Sequence, residues 1–78
     1  MKPTKGRIVL VTTPGRIING QDEHAAIVTQ VWGNDEHSAI NVMLMPGSGD
    51  PISLGSVIPE IDRTEGSTAP YWCWPLRA

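Results

Sequence analysis

Phenylalanine is missing altogether, tyrosine and cysteine occur once each, and no apolar run in the 78 residues is longer than four. Each absence removes a class of protein. A single Cys73 can neither close an internal disulfide nor hold zinc by itself, which points to a reducing compartment. Runs of four apolar residues fall far short of the roughly 18 that a membrane span needs. Residues 1–6 lead only into Ile8-Val9-Leu10-Val11, too few for a signal-peptide core, so a soluble, unexported chain with no membrane partner is expected. Basic excess is missing too: six Lys/Arg stand against eight Asp/Glu, a net charge of -2. That balance provides no broad positive field, and direct DNA binding is not expected.

What the chain does have is a 40% hydrophobic share, ordinary for a globular protein, in a length that suits one small domain over residues 1–78. Eight Gly and seven Pro are spread along it and cut it into short pieces. Residues 7–13 are rich in β-branched side chains and stop at Pro14-Gly15; residues 16–18 run into Asn19-Gly20, a tight-hairpin signal. Further strands are read over 25–32, ended by the polar cluster 33–36, and over 39–45. The loop 46–51 then leads to a strand over 52–58, with Gly55 at a bulge or bend, closed by Pro59. A polar, acidic surface loop covers 60–70, and a last short strand over 71–74 stops at Pro75. A helix over 21–32, capped by Asp22, is the alternative for that segment, but its Ile, Val and Thr run favours a strand.

Five short strands joined by Gly/Pro turns predict an all-β fold, a small five-stranded antiparallel SH3-like barrel. The period of two places Ile40, Val42 and Leu44 on the core face, and Asn41, Met43 and Met45 on the other. That second face is also apolar, which suggests that it is covered or meets a partner. A chain this short buries only about 60% of its unfolded surface. Without a disulfide, homo-oligomerisation would supply further burial, and three Trp and three Met suit such an interface.

Chemistry-bearing residues are few. Asp22-Glu23-His24 and Asp35-Glu36-His37 repeat one triplet, and paired across a hairpin they would offer imidazole and carboxylate ligands to a metal. Neighbouring residues on a strand point to opposite faces, however, and both triplets fall in expected turns, so no metal site is assigned. Cys73, between two tryptophans, has apolar neighbours that raise a thiol's pKa, so no catalytic residue is assigned either. The stretch 46–50 lacks the Gly-Lys-Ser/Thr ending of a phosphate loop. Binding is better served: Trp72 and Trp74, two apart, would share a face as a flat aromatic platform with Arg77 close by. Aromatic surface and guanidinium together suit base stacking and phosphate contact, with Arg7 as a second phosphate partner and the Asn41 amide reading a base edge. The competing reading puts one Trp in the core and the other over the barrel end.

Gly6-Arg7-Ile8-Val9, Ala25-Ala26-Ile27-Val28 followed by Val31-Trp32, then Ile40-Asn41-Val42, Ser56-Val57 and Trp72-Cys73-Trp74-Pro75 before Arg77 together resemble small bacteriophage and prophage proteins that end in Trp-His-Trp-Pro. The ending is the specific part. The chain departs from the pattern in having Cys73 where an imidazole is usual, so no role of that imidazole transfers, and in the extra segment 60–70. The resemblance implies a small β-barrel acting in the cytoplasm of an infected bacterium, with no established enzymatic activity and no cofactor. By analogy with small oligomeric phage proteins, the expected function is a non-catalytic sponge that binds and sequesters a nucleotide-type immune signal. The alternative is a β-barrel interaction module that grips a host or phage protein.

Overall fold

The computed structural model describes residues 2–18, 20–47 and 49–75. Five strands, β1 (Ile8–Thr12), β2 (Glu23–Val31), β3 (Ile40–Met45), β4 (Ile52–Pro59) and β5 (Tyr71–Cys73), close into a barrel in the order β1-β2-β3-β4-β5. The SH3-like architecture expected from the strand spacing is therefore present. Successive pairs from β1 to β4 are antiparallel hairpins, and β5 closes the ring antiparallel to β1 through Leu10↔Cys73, Val11↔Trp72 and Thr12↔Tyr71. The remaining seam, β4 with β5, is parallel. Parallel neighbours need a long crossover, and the connection over 60–70 provides it. That segment opens with a 3-10 turn, η1 (Glu60–Asp62), and is stitched by the Ser67 amide donating to the Thr64 carbonyl at 3.0 Å.

The core follows the period of two. Val9 and Val11, Ala26 and Val28, Ile40, Val42 and Leu44, Val57 and Trp72 point inward and are buried. The expected Ile40, Val42 and Leu44 trio is completely buried, at 0% exposure each. With no Phe available, Trp72 is the one large side chain in a core otherwise built from aliphatics. Bulges tighten the curvature that a five-stranded ring requires. One lies in β2 between Val28 and Gln30; the other lies in β4 opposite the Ile40 to Val42 step, at Gly55 and Ser56. Gly55 was expected to permit the second, yet the left-handed residue is Ser56, with φ of 55°.

One turn differs from expectation in an instructive way. Pro14-Gly15 does form a turn, with the Arg16 amide donating to the Thr13 carbonyl at 3.0 Å. Gly15, though, is not among the positive-φ glycines; a Cβ there would come within 2.9 Å of Thr68, so close approach of the 60–70 crossover sets the requirement. Ile18 and Gln21 bridge across the following two-residue turn, whose Asn19 lies outside the described residues. Among the described residues no helix is long and apolar enough to cross a membrane.

Candidate functional site

Three segments meet at one end of the barrel: β5, η1 and the loop 32–39 between β2 and β3. Their junction is fixed from inside. Trp72 is only 2% exposed, and its indole N–H donates to the Ser38 carbonyl at 3.3 Å, tying the core to the loop. Within the loop, the Ser38 hydroxyl donates to the Asp35 carbonyl at 2.7 Å. Gly33 lets the chain fold back so tightly that a Cβ there would lie 2.7 Å from the Ser38 oxygen. From outside, the His37 Nδ1–H donates to both Asp62 carboxylate oxygens, at 3.2 and 3.1 Å, linking the loop to η1 across 25 residues. That pairing, with Glu36 and Asp35 adding negative potential, raises the His37 pKa above its ordinary value.

Between these segments lies an open cleft of about 310 Å³. Its lining residues are the apolar Pro59, Ile61, Trp72 and Trp74 together with Glu36, Glu60 and Cys73. The Glu36 carboxylate lies 4.0 Å from the His37 Nε2. Burial, followed by the nearby Glu60 and Glu23 carboxylates, pushes the thiol pKa up, so Cys73 is held protonated and is a weak nucleophile. No Lys or Arg lines the cleft among the described residues. The arrangement thus offers indole surface and negative charge, a combination that attracts cations and repels phosphate.

The residues singled out from the sequence are distributed as follows. Trp72 and Trp74 do lie together, with ring centroids 5.4 Å apart, but they meet edge to face at 84°. A flat platform is therefore not formed: Trp72 points into the core because its alternation in β5 is set by the Val11↔Trp72 register, and Trp74, beyond the strand end, packs partly against that core. Arg7 places its guanidinium carbon 5.5 Å from the Trp74 ring centroid, so these two expected partners are joined by a cation–π contact. Asn41 is elsewhere, on β3, which pairs with β2 and β4 and not with β5. Its Oδ1 accepts from the Trp32 indole N–H at 2.8 Å and from the Ser56 amide at 2.9 Å, so this oxygen is engaged within the fold. Arg77 lies outside the described residues.

The repeated triplets do not converge. Glu23 and His24 belong to β2 itself, where His24 is buried and its Nε2–H donates to the Gln21 carbonyl at 3.2 Å. Asp35-Glu36-His37 sits in the loop beyond the opposite end of that strand. Among the described residues no group of three or more His, Cys, Asp or Glu side chains is placed to hold a metal. Sequence reasoning missed Glu60 and Ile61 as cleft residues and Asp62 as the partner of His37. Nothing local marks them, because the parallel seam is what brings η1 beside β5. Trp32 was also passed over as a strand end, although it stands 60% exposed with its indole fixed by Asn41. Set against protein-family models, curated proteins and solved structures, the chain matches none of them.

Proposed function

We propose that the protein is a non-catalytic interaction module whose cleft takes an extended segment of a partner protein, one that presents an apolar or proline side chain beside a Lys or Arg. The observation that carries this reading is the lining itself: the half-buried Trp74 and the exposed Ile61 over a floor of buried Trp72 and Pro59, bordered by Glu36 and Glu60. Indole faces and proline rings suit a pre-extended, low-entropy peptide, and the carboxylates select the adjacent cation. The ending Trp72-Cys73-Trp74-Pro75, which carries the likeness to phage proteins, contributes three of the cleft residues, and this supports a host or phage protein in the infected cell as the partner.

Sequestration of a nucleotide-type signal is the second reading, favoured by the Arg7 guanidinium lying against the Trp74 ring. Charge weighs against it. A phosphate about 5 Å from either carboxylate would be repelled by about 3 kcal/mol at an effective dielectric of 20.

The two readings separate in one experiment on the full chain: native mass spectrometry and tryptophan fluorescence with proline-rich peptides, with and without Arg, beside a panel of cyclic di- and trinucleotides and ADP-ribose derivatives. Binding of the Arg-bearing peptide, weakened in Glu60→Gln, is the expected result. Retention of a nucleotide with no response to any peptide would replace the module by the sponge.

A further inference from the structure

The side chains that β1, β2 and β3 turn away from the core form two rows fixed by register. Ile8 stands opposite Ile27, which stands opposite Met43; Leu10 stands opposite Ala25, which stands opposite Met45. All six are apolar, and all are exposed or half-buried, with Ile8 at 48% and Met45 at 41%. The outer face of an antiparallel sheet ordinarily alternates to polar residues, and here the two central rows of three adjacent strands do not, although Thr12, Glu23, Thr29 and Asn41 share the outward side. Neither row carries a charged side chain.

We propose that this face is the contact surface of a two-fold dimer of the chain. A second copy is the occupant that fits it. The two rows carry no charge, the carboxylate on that side of β2 being Glu23 at their edge, so they offer little electrostatic complement by which a different protein would be chosen, whereas an isologous contact requires only that the patch complement itself. The net charge of -2 per subunit adds little repulsion. Met43 and Met45 are unbranched and adapt to a mirrored neighbour.

Area sets the strength of the contact. With strands about 4.8 Å apart and a two-residue step of about 6.8 Å, the rows and their immediate rim cover roughly 300–400 Å², the size of a functional patch on a monomer. Two such faces together remove on the order of 800 Å² from water, less than the roughly 1,000 Å² that a stable specific interface clears, so the dimer is a weak, concentration-dependent one. The contact also supplies burial that a 78-residue barrel with one unpaired cysteine lacks. This proposal does not rest on the cleft reading.

Sedimentation velocity on the full chain between about 5 µM and 500 µM tests it, a range that spans weak association. The expected result is a shift from monomer to dimer mass with concentration. Ile8→Lys and Met43→Lys should each weaken dimerisation by at least about a hundredfold, because two-fold symmetry buries each new charge twice. Far-UV circular dichroism at the lowest concentration checks that the barrel survives. Should the lysine variants not fold, dilution of the unaltered protein provides the readout, with the methyl resonances of Ile8, Ile27, Met43 and Met45 expected to move together. A monomer at every concentration, a dimer that both folded variants preserve, or dilution shifts confined to other surfaces would overturn the proposal.

Discussion

Asn41→Ala should destabilise the barrel, and the size of the effect can be worked from two bonds. The Asn41 Oδ1 accepts from the Trp32 indole at 2.8 Å and from the Ser56 amide at 2.9 Å. Ser56 sits at the β4 bulge with φ of 55°, a left-handed conformation that costs a non-glycine residue about 1–2 kcal/mol unless its surroundings hold it. Each hydrogen bond contributes about 0.5–1.5 kcal/mol net. Both bonds lie at the surface, where water substitutes in part for the lost acceptor, so the combined loss falls near 1–2 kcal/mol. For a domain of this length that lowers the melting temperature by about 5–15 °C. Thermal unfolding followed by circular dichroism measures it, with Asn41→Asp as the control, because a carboxylate keeps an acceptor oxygen in the same place. Trp32 emission should respond as well, since the indole loses its fixed partner. A melting temperature within about 2 °C of the unaltered protein in Asn41→Ala would refute the reasoning, and would return the Asn41 amide to the list of groups available for ligand.

Two further outcomes are expected. Trp72→Ala removes the one large side chain of the core at a cost of about 3–5 kcal/mol, enough to unfold a marginally stable small domain, whereas Trp74→Ala, at a partly buried site, leaves the barrel folded; equal losses of structure by circular dichroism would contradict the inward placement of Trp72. The His37 pKa is raised above 6.5 by Asp62, then Glu36 and Asp35, so its stabilising link between loop and η1 is fully present below 6.5 and is lost as pH rises through the raised value. A proton NMR titration should place the His37 midpoint above 6.5 and Asp62→Asn should lower it; a midpoint at or below 6.5 in the unaltered protein would contradict the pair.

The barrel was legible because strand and turn signals in this sequence agree with one another. β-branched runs, a period of two at Ile40, Val42 and Leu44, and Gly/Pro punctuation all act over a few residues, and all five strands fall where those signals lie. The cleft was legible only in its β5 wall. Trp72 and Trp74 were conspicuous, but the angle between their rings depends on which side of β5 meets Val11, a contact between residues 61 positions apart. Glu60 reaches the cleft through the parallel β4–β5 seam, and His37 finds Asp62 rather than a second triplet because the two Asp-Glu-His stretches flank opposite ends of β2. Contacts of that kind follow from topology, which no local pattern encodes. The Asn41 clamp is similar: a bulge at Gly55 was readable, but not the left-handed Ser56 that makes the carboxamide necessary.

Cleft and outer face together define how a shallow site could bind usefully. A volume of about 310 Å³ is at the small end for ligand pockets, which run from about 300 to 1,000 Å³. Open on one side, such a cleft holds a peptide segment weakly. β5 forms one wall of it, while Leu10, the neighbour of Cys73 in the barrel seam, stands in the apolar row that faces the proposed second copy. A two-fold pairing through that row would therefore carry two acidic clefts on one particle, both fixed to a rigid ring of strands. Two clefts on one particle convert the second engagement of a repeated or dimeric partner into an intramolecular event, raising avidity by about 10²–10⁴ without any new contact. The consequence is measurable: a tandem Arg-bearing peptide should bind the unaltered protein far more tightly than the single peptide does. Met43→Lys should abolish that gain while leaving single-peptide affinity unchanged, because Met43 lies on β3 and takes no part in the cleft. A tandem advantage that survives in folded, monomeric Met43→Lys would break the connection between the two surfaces.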